Sequence, residues 1–201
     1  MTRIVQQASL SSSSSALGAT HVRSTLLQQS LRGVRNRGHF ERWEAHVDPA
    51  YRELILDSIA PGWLAIDVGL AHYQACDQLG LEDAALEQIG EGVGENLQST
   101  LLAVAARVAL ASVLSQEVIS TCFSKLWPRL FQGGQFDMSH QNKTVTIELR
   151  GAVLSQSRYF RGTLLGNVRA GAKLFGQKVA SVRALSYDAR SDHYVVQLVG
   201  L

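Results

Sequence analysis

An α+β fold, with an N-terminal helical half packed on an antiparallel sheet of ββαββ order, is predicted by three observations. Apolar residues recur at the helical period through most of residues 21–132. Residues 136–149 then switch to strict apolar/polar alternation, the mark of a strand pair with one wet face. Finally, residues 157–176 return to a helical pattern with two strands before them and two after, an order that favours an antiparallel sheet with helices to one side.

Taken in order, residues 1–20 contain Ser11 to Ser15 and no hydrophobic period, so they are expected to form a mobile arm. Residues 21–201 are expected to form a single domain, helical over 21–132 and ββαββ over 133–201. Val22, Leu26, Leu27 and Leu31 fit a short amphipathic helix, and the glycine-bounded basic run 33–38 reads as a turn whose arginines are either solvated or free to touch an acidic group. Asp48-Pro49 is a helix start: the carboxylate can cap free amides and proline has no amide to leave unpaired. Tyr51, Leu54, Ile55 and Ile59 are expected on its inner face, with Pro61-Gly62 as its stop. Trp63 is expected to open a second helix through Leu79, closed by Gly80. A third follows, with acids in its first turn where the helix dipole favours them. The glycines at 90, 92 and 94 lack the strand and Lys-Ser/Thr of a phosphate loop, so they read as a helix break or a close helix crossing.

Residues 96–130 are helical in pattern, with a bend expected near Ser115 and a heavy apolar face of Cys122, Phe123, Leu126, Trp127 and Leu130. Residues 101–114 are too short for a membrane span and contain Arg107, which favours a buried helix. Strands are expected on either side of a turn at 140–143, and again over 178–187 and 193–199. Between these hairpins lies the helix 157–176. Phe160, Leu164, Val168 and Phe175 form its buried stripe, while Gly162, Gly166 and Ala170 fall four apart on a line that lets another backbone come close.

Chemistry is sparse. Cys76 and Cys122 have no ligand-like spacing and read as reduced core residues. His72 and Cys76 are one helical turn apart, but two ligands do not complete a zinc site, so no metal is expected. No catalytic, nucleotide or dinucleotide motif occurs, and neither an enzyme nor a cofactor is expected. The net charge of +2 is unevenly spread: residues 1–47 carry six arginines against two glutamates, 48–98 one arginine against ten acids, and 99–201 twelve bases against five acids. Opposite segments of that kind attract within a molecule or between copies. No lysine- or arginine-rich stretch exceeds scattered single charges, so nucleic-acid binding is not expected. The first ten residues carry no leader-like apolar run, so a cytoplasmic location is expected.

These features point first to a non-enzymatic regulatory or scaffold protein that binds another protein, including a second copy of itself. Gly162, Gly166 and Ala170, with Arg158, Arg161 and Arg169 beside them, would form the interface. The alternative is a small-molecule sensor with an apolar ligand held between helices and sheet by Trp63, Tyr73, Phe123, Trp127 and Phe160.

Particular stretches also resemble known proteins. The run from Trp63 to Gly94, containing Ala71-His-Tyr-Gln-Ala-Cys-Asp-Gln-Leu-Gly-Leu81, followed by Tyr159-Phe-Arg-Gly162 and a final strand pair, resembles a family of myxobacterial proteins of this length. The layout of residues 60–200 is more distantly similar to the superfamily joining haem-nitric-oxide-binding domains, vinyl-reductase-type small-molecule-binding domains and TRAPP trafficking subunits. That resemblance implies a sensing or assembly module. The Tyr-x-Ser-x-Arg motif with which the haem-binding members hold the propionates is absent from this sequence, which makes His72 a poor candidate for a haem ligand. The cysteine cluster of the vinyl-reductase-type domains is absent too, since no cysteine follows Cys122.

Overall fold

A computed structural model describes residues 18–97, 116–174 and 176–200, with the side chains of all but 97 and 116–122. The expected serine-rich arm, the helix at 101–114, the bend near 115 and the Cys122 side chain lie outside the described residues. The described elements run β1 (His21–Arg23), α1 (Ser24–Asn36), α2 (Phe40–His46), α3 (Pro49–Leu56), β2 (Trp63–Ala65), α4 (Ile66–Asp77), α5 (Asp83–Leu97), α6 (Gln116–Leu130), β3 (Phe131–Gln132), β4 (Gln135–Gln141), β5 (Thr144–Arg150), a 3-10 turn (Val153–Gln156), α7 (Arg158–Leu174), β6 (Val179–Asp188) and β7 (His193–Gly200). This is the α+β order that the sequence predicts.

The C-terminal part is an antiparallel sheet in the order β4-β5-β7-β6. Alternation decides which face is dry: Tyr194, Val196 and Leu198 on β7 and Ile147 and Leu149 on β5 are buried, and the residues between them are not. Val168 and Ala172 of α7 close this core from above. The helical half builds a second cluster from Leu27, Leu31, Trp43, Ile55, Tyr73, Leu86, Ile89 and Tyr159, among others. Trp127 and Leu164 pack against both clusters, so α6 and α7 form the seam between them.

The glycine line resolves into a helix crossing inside the chain. A side-chain carbon on Gly166 would overlap the Glu87 carbonyl, one on Gly90 would overlap that of Thr163, and one on Gly94 would come within 2.8 Å of the Ala170 methyl. α5 and α7 thus touch backbone to backbone, which glycine alone allows. Ion pairs run along the same contact: Arg158 to Asp83, Arg169 to Glu87 at 2.8 Å and Glu91 at 3.2 Å, and Lys173 to Glu91 at 3.1 Å. Partial burial works against the Glu91 charge, but hydrogen bonds from Lys173 and Arg169 outweigh it and hold the carboxyl below its ordinary value.

The interface expected for a second copy is therefore occupied from within. Gly162, Gly166 and Ala170 meet α5; Arg158 and Arg169 are paired with its acids. Arg161 donates to the Ser155 and Gln156 carbonyls and stacks over Tyr187 at 4.4 Å. The acidic middle and the basic end of the sequence attract each other along one helix pair.

Other expectations change for local reasons. Trp63 lies in a strand, and the helix begins at Ile66, because β1 pairs with both β2 and β3 in a small antiparallel sheet ordered β2-β1-β3. α1 runs through Gly33 to Asn36, since Gly33 lies against Ile89 of α5; only Arg37 and Gly38 turn. Asp48 caps α3 through its bond from the Ala50 amide, yet that eight-residue helix buries only Ile55. Leu54 is 52% exposed, and Ile59, beyond the helix end, is 84% exposed.

Asp77 ties α4 to α7. Its Oδ1 accepts from the Ser157 hydroxyl at 3.0 Å and from the Tyr159 amide at 2.6 Å, one of the amides left free at the start of α7. Asp77→Ala is expected to lower stability by about 1.5–3 kcal/mol, the range for hydrogen bonds to a charged group, in urea unfolding. An unchanged midpoint would show that solvent serves this helix start equally well.

Candidate functional site

At the seam, α6 supplies Phe123, Leu126, Trp127 and Leu130, a stripe set by helical spacing. Phe131 continues it into β3. Gly133 and Gly134, both at positive φ (83° and 65°), then turn the chain so that Phe136 of β4 comes back beneath the helix. Trp127 stacks on Phe131 with ring centroids 4.3 Å apart and on Phe136 at 6.0 Å, and its indole donates to the Gly133 carbonyl at 3.2 Å. Between this wall, Ile147 and Leu149 of β5, and Phe160, Leu164, Asn167, Val168 and Gly171 of α7 lies a cavity of about 110 Å³. A smaller one of about 70 Å³ adjoins it, bordered by Phe123, Met138, Val145, Ile147, Val168, Ala172 and Leu198, with His140 and Gln177 at its edge. Phe123, Ile147 and Val168 border both, so the Phe123 ring stands between two parts of one cleft.

Asn167 is the one polar side chain among the described residues lining the larger cavity. Its Oδ1 is fully buried and has no hydrogen-bond partner among the described residues.

Of the five aromatic residues that the sequence suggests for an apolar ligand, Phe123, Trp127 and Phe160 line this cavity. Tyr73 lies one layer behind, buried on α4 and edge-on to Phe160 at 5.3 Å. Trp63 is remote, on β2 under the Arg23 guanidinium at 3.9 Å. Phe131, Phe136, Ile147 and Leu149 join the site only through the strand register, and Asn167 gives no sequence signal at all.

Behind the cavity is a buried polar cluster. His72 Nε2 bonds Ser30 Oγ at 2.9 Å, Ser30 bonds the Tyr159 hydroxyl at 3.3 Å, and Cys76 Sγ lies 3.8 Å from His72 Nε2. Burial alone pushes the His72 pKa down to about 3; burial first, with the nearby Asp77 charge for Cys76 and the Cys76 thiol for Tyr159, drives those two groups well up, so all three are neutral. Among the described residues no three His, Cys, Asp or Glu side chains are placed to hold a metal ion, and no helix is long and apolar enough to cross a membrane.

The architecture has solved counterparts. An unliganded Fe(II) H-NOX protein from K. algicida superposes with a TM-score of 0.62 at 11% identity, over 89% of this chain and 96% of that one. The fold is H-NOX-like. A structure probing haem distortion in the H-NOX family gives 0.60 at 9% identity, covering 89% of this chain and 94% of that one. An oxygen-binding H-NOX domain related to soluble guanylate cyclases, solved as its oxygen complex, gives 0.58 at 9% identity with the same coverage. No family model and no curated protein sequence matches the chain.

Haem is the group that an H-NOX-like fold brings to mind, and the residues present do not fit it. A haem takes an axial His, Cys, Met or Tyr. Among the described residues no His, Cys, Met or Tyr lines the larger cavity, and Met138, which borders the smaller one, faces it with no cationic side chain for a propionate. His140, at the edge of the smaller one, is exposed. Among the described residues neither lining includes an arginine or lysine to meet a propionate. Each space is also below the roughly 150 Å³ in which an engineered apolar cavity takes up benzene, far short of a macrocycle.

Proposed function

We propose that this chain is a regulatory small-molecule sensor domain that holds a neutral, largely apolar ligand, other than haem, in the cleft between α6, α7 and the four-stranded sheet. One observation carries the reading: an aromatic-walled cavity lies where the two hydrophobic clusters meet, on a fold whose solved counterparts include an oxygen complex. A ligand at a seam can shift one body against the other, which is how a binding event becomes a signal. The scaffold reading that the sequence puts first loses its motivation, since the small-residue line and the opposite charges are used up within the chain. In this reading the protein performs no reaction of its own and acts in the cytoplasm.

Native mass spectrometry of the purified protein tests the proposal. The wild type is expected to carry extra mass or to take it up from a panel of small apolar compounds. Val168→Phe, which places a phenyl ring where the two cavities meet, is expected to stay folded by circular dichroism and lose that mass. A wild type that retains and acquires nothing overturns the reading.

A further inference from the structure

The residue that sets the size of the ligand can be named, resting on the sensor reading: we infer that Phe123 divides one binding site into two. The occupant is a neutral apolar molecule too large for either part, which lodges across both as the ring turns aside. The larger part holds about 110 Å³ and the smaller about 70 Å³, and Phe123, Ile147 and Val168 border both. Ile147 on β5 is 2% exposed and Val168 on α7 is 7% exposed, so neither can leave its place without opening the core. Phe123 differs. It stands on α6 only half-buried, so its ring can move toward solvent and give up part of its burial rather than all of it.

The ring tip reaches across the cleft to α7, where a Cβ on Gly171 would come within 2.6 Å of Phe123 Cζ. Glycine at that position gives the ring its seat. The contact is made by the free end of a side chain, so rotation about its own bonds releases it with no backbone displaced. With the ring in place, each part is smaller than the roughly 150 Å³ in which an apolar cavity takes up benzene; with the ring turned away, the two run together and exceed that volume. No acidic, lysine or arginine side chain lines either part among the described residues, so an ionised group would enter without a counter-charge.

The probe is p-xylene, larger than benzene and so too large for either part alone. It is titrated by calorimetry into the wild type, Phe123→Ala and Phe136→Ala. Both variants lose the same ring, but Phe136 borders the larger part only, so its removal widens that part without joining the two. Phe123→Ala is expected to bind p-xylene about tenfold more tightly than the wild type, the gain when a conformer held by about one molecule in ten becomes permanent. Phe136→Ala is expected to show no comparable gain. Equal gains in the two variants, or none in Phe123→Ala, overturn the inference and leave the sensor reading intact. Uptake by none of the three overturns the inference alone if native mass spectrometry finds a retained ligand, and both readings if it finds nothing. Should Phe123→Ala fail to fold, a crystal structure of the wild type soaked with p-xylene decides. The inference requires the probe across both parts with the Phe123 ring displaced; p-xylene in one part beside an unmoved ring overturns it.

Discussion

Gly166→Ala should destabilise the protein by about 3 kcal/mol, although alanine is the better helix former. The added methyl would overlap the Glu87 carbonyl, and a backbone atom of a packed helix cannot step aside as a side-chain tip can. Relief requires α5 and α7 to separate, which loosens the paired contacts of Arg169 with Glu87 and Glu91. Gly92→Ala is the matched control. It lies on α5 with nothing within 4 Å of the new carbon, so it should gain about 0.5–1 kcal/mol from helix propensity alone. Urea midpoints of the two variants should move in opposite directions. Parallel movement would mean that the helices do not cross at van der Waals contact.

Acid should unfold the wild type earlier than His72→Gln. Folded His72 titrates at about 3 because it is shut away from water, whereas an unfolded histidine titrates at its ordinary 6.5. Above pH 6.5 both states are neutral and the contribution is intact. Between 6.5 and about 3 the unfolded chain takes up a proton that the folded one refuses, and stability falls by about 1.4 kcal/mol per pH unit. Below about 3 the loss is complete. Glutamine can keep the bond to Ser30 without titrating, so the difference between the two pH–stability curves isolates this group. Curves that run parallel from pH 7 to 4 would show that His72 is already reached by water.

Much of the C-terminal half was legible because strands with one wet face alternate, and Thr144 to Leu149 could hardly be read otherwise. The helix at 158–174 declared itself by its stripe and by a glycine line that needed a partner backbone. What its sequence could not say was which backbone, and the answer, α5, lies in the glycines at 90 and 94, which alone read equally as a break. β1 and β2 escaped because three residues cannot display a period; only their pairing defines them. The aromatic side chains of the site were countable but not placeable. Phe123, Trp127 and Phe160 converge through the seam, Trp63 does not, and nothing in the pattern distinguishes them. Asn167 was invisible for a different reason: an unmet acceptor is a property of surroundings, not of residue type.

The three-residue strand at His21–Arg23 pairs on one side with Trp63–Ala65 and on the other with Phe131–Gln132. During synthesis its first neighbour emerges early, but the second follows some 110 positions later, as with Thr20 and Gln132. At typical elongation rates the nascent strand waits roughly 5–20 s for it. Any translation product that stops short of Gln132 therefore keeps that edge open, and the helical half can reach its final form only when the ribosome has passed the seam.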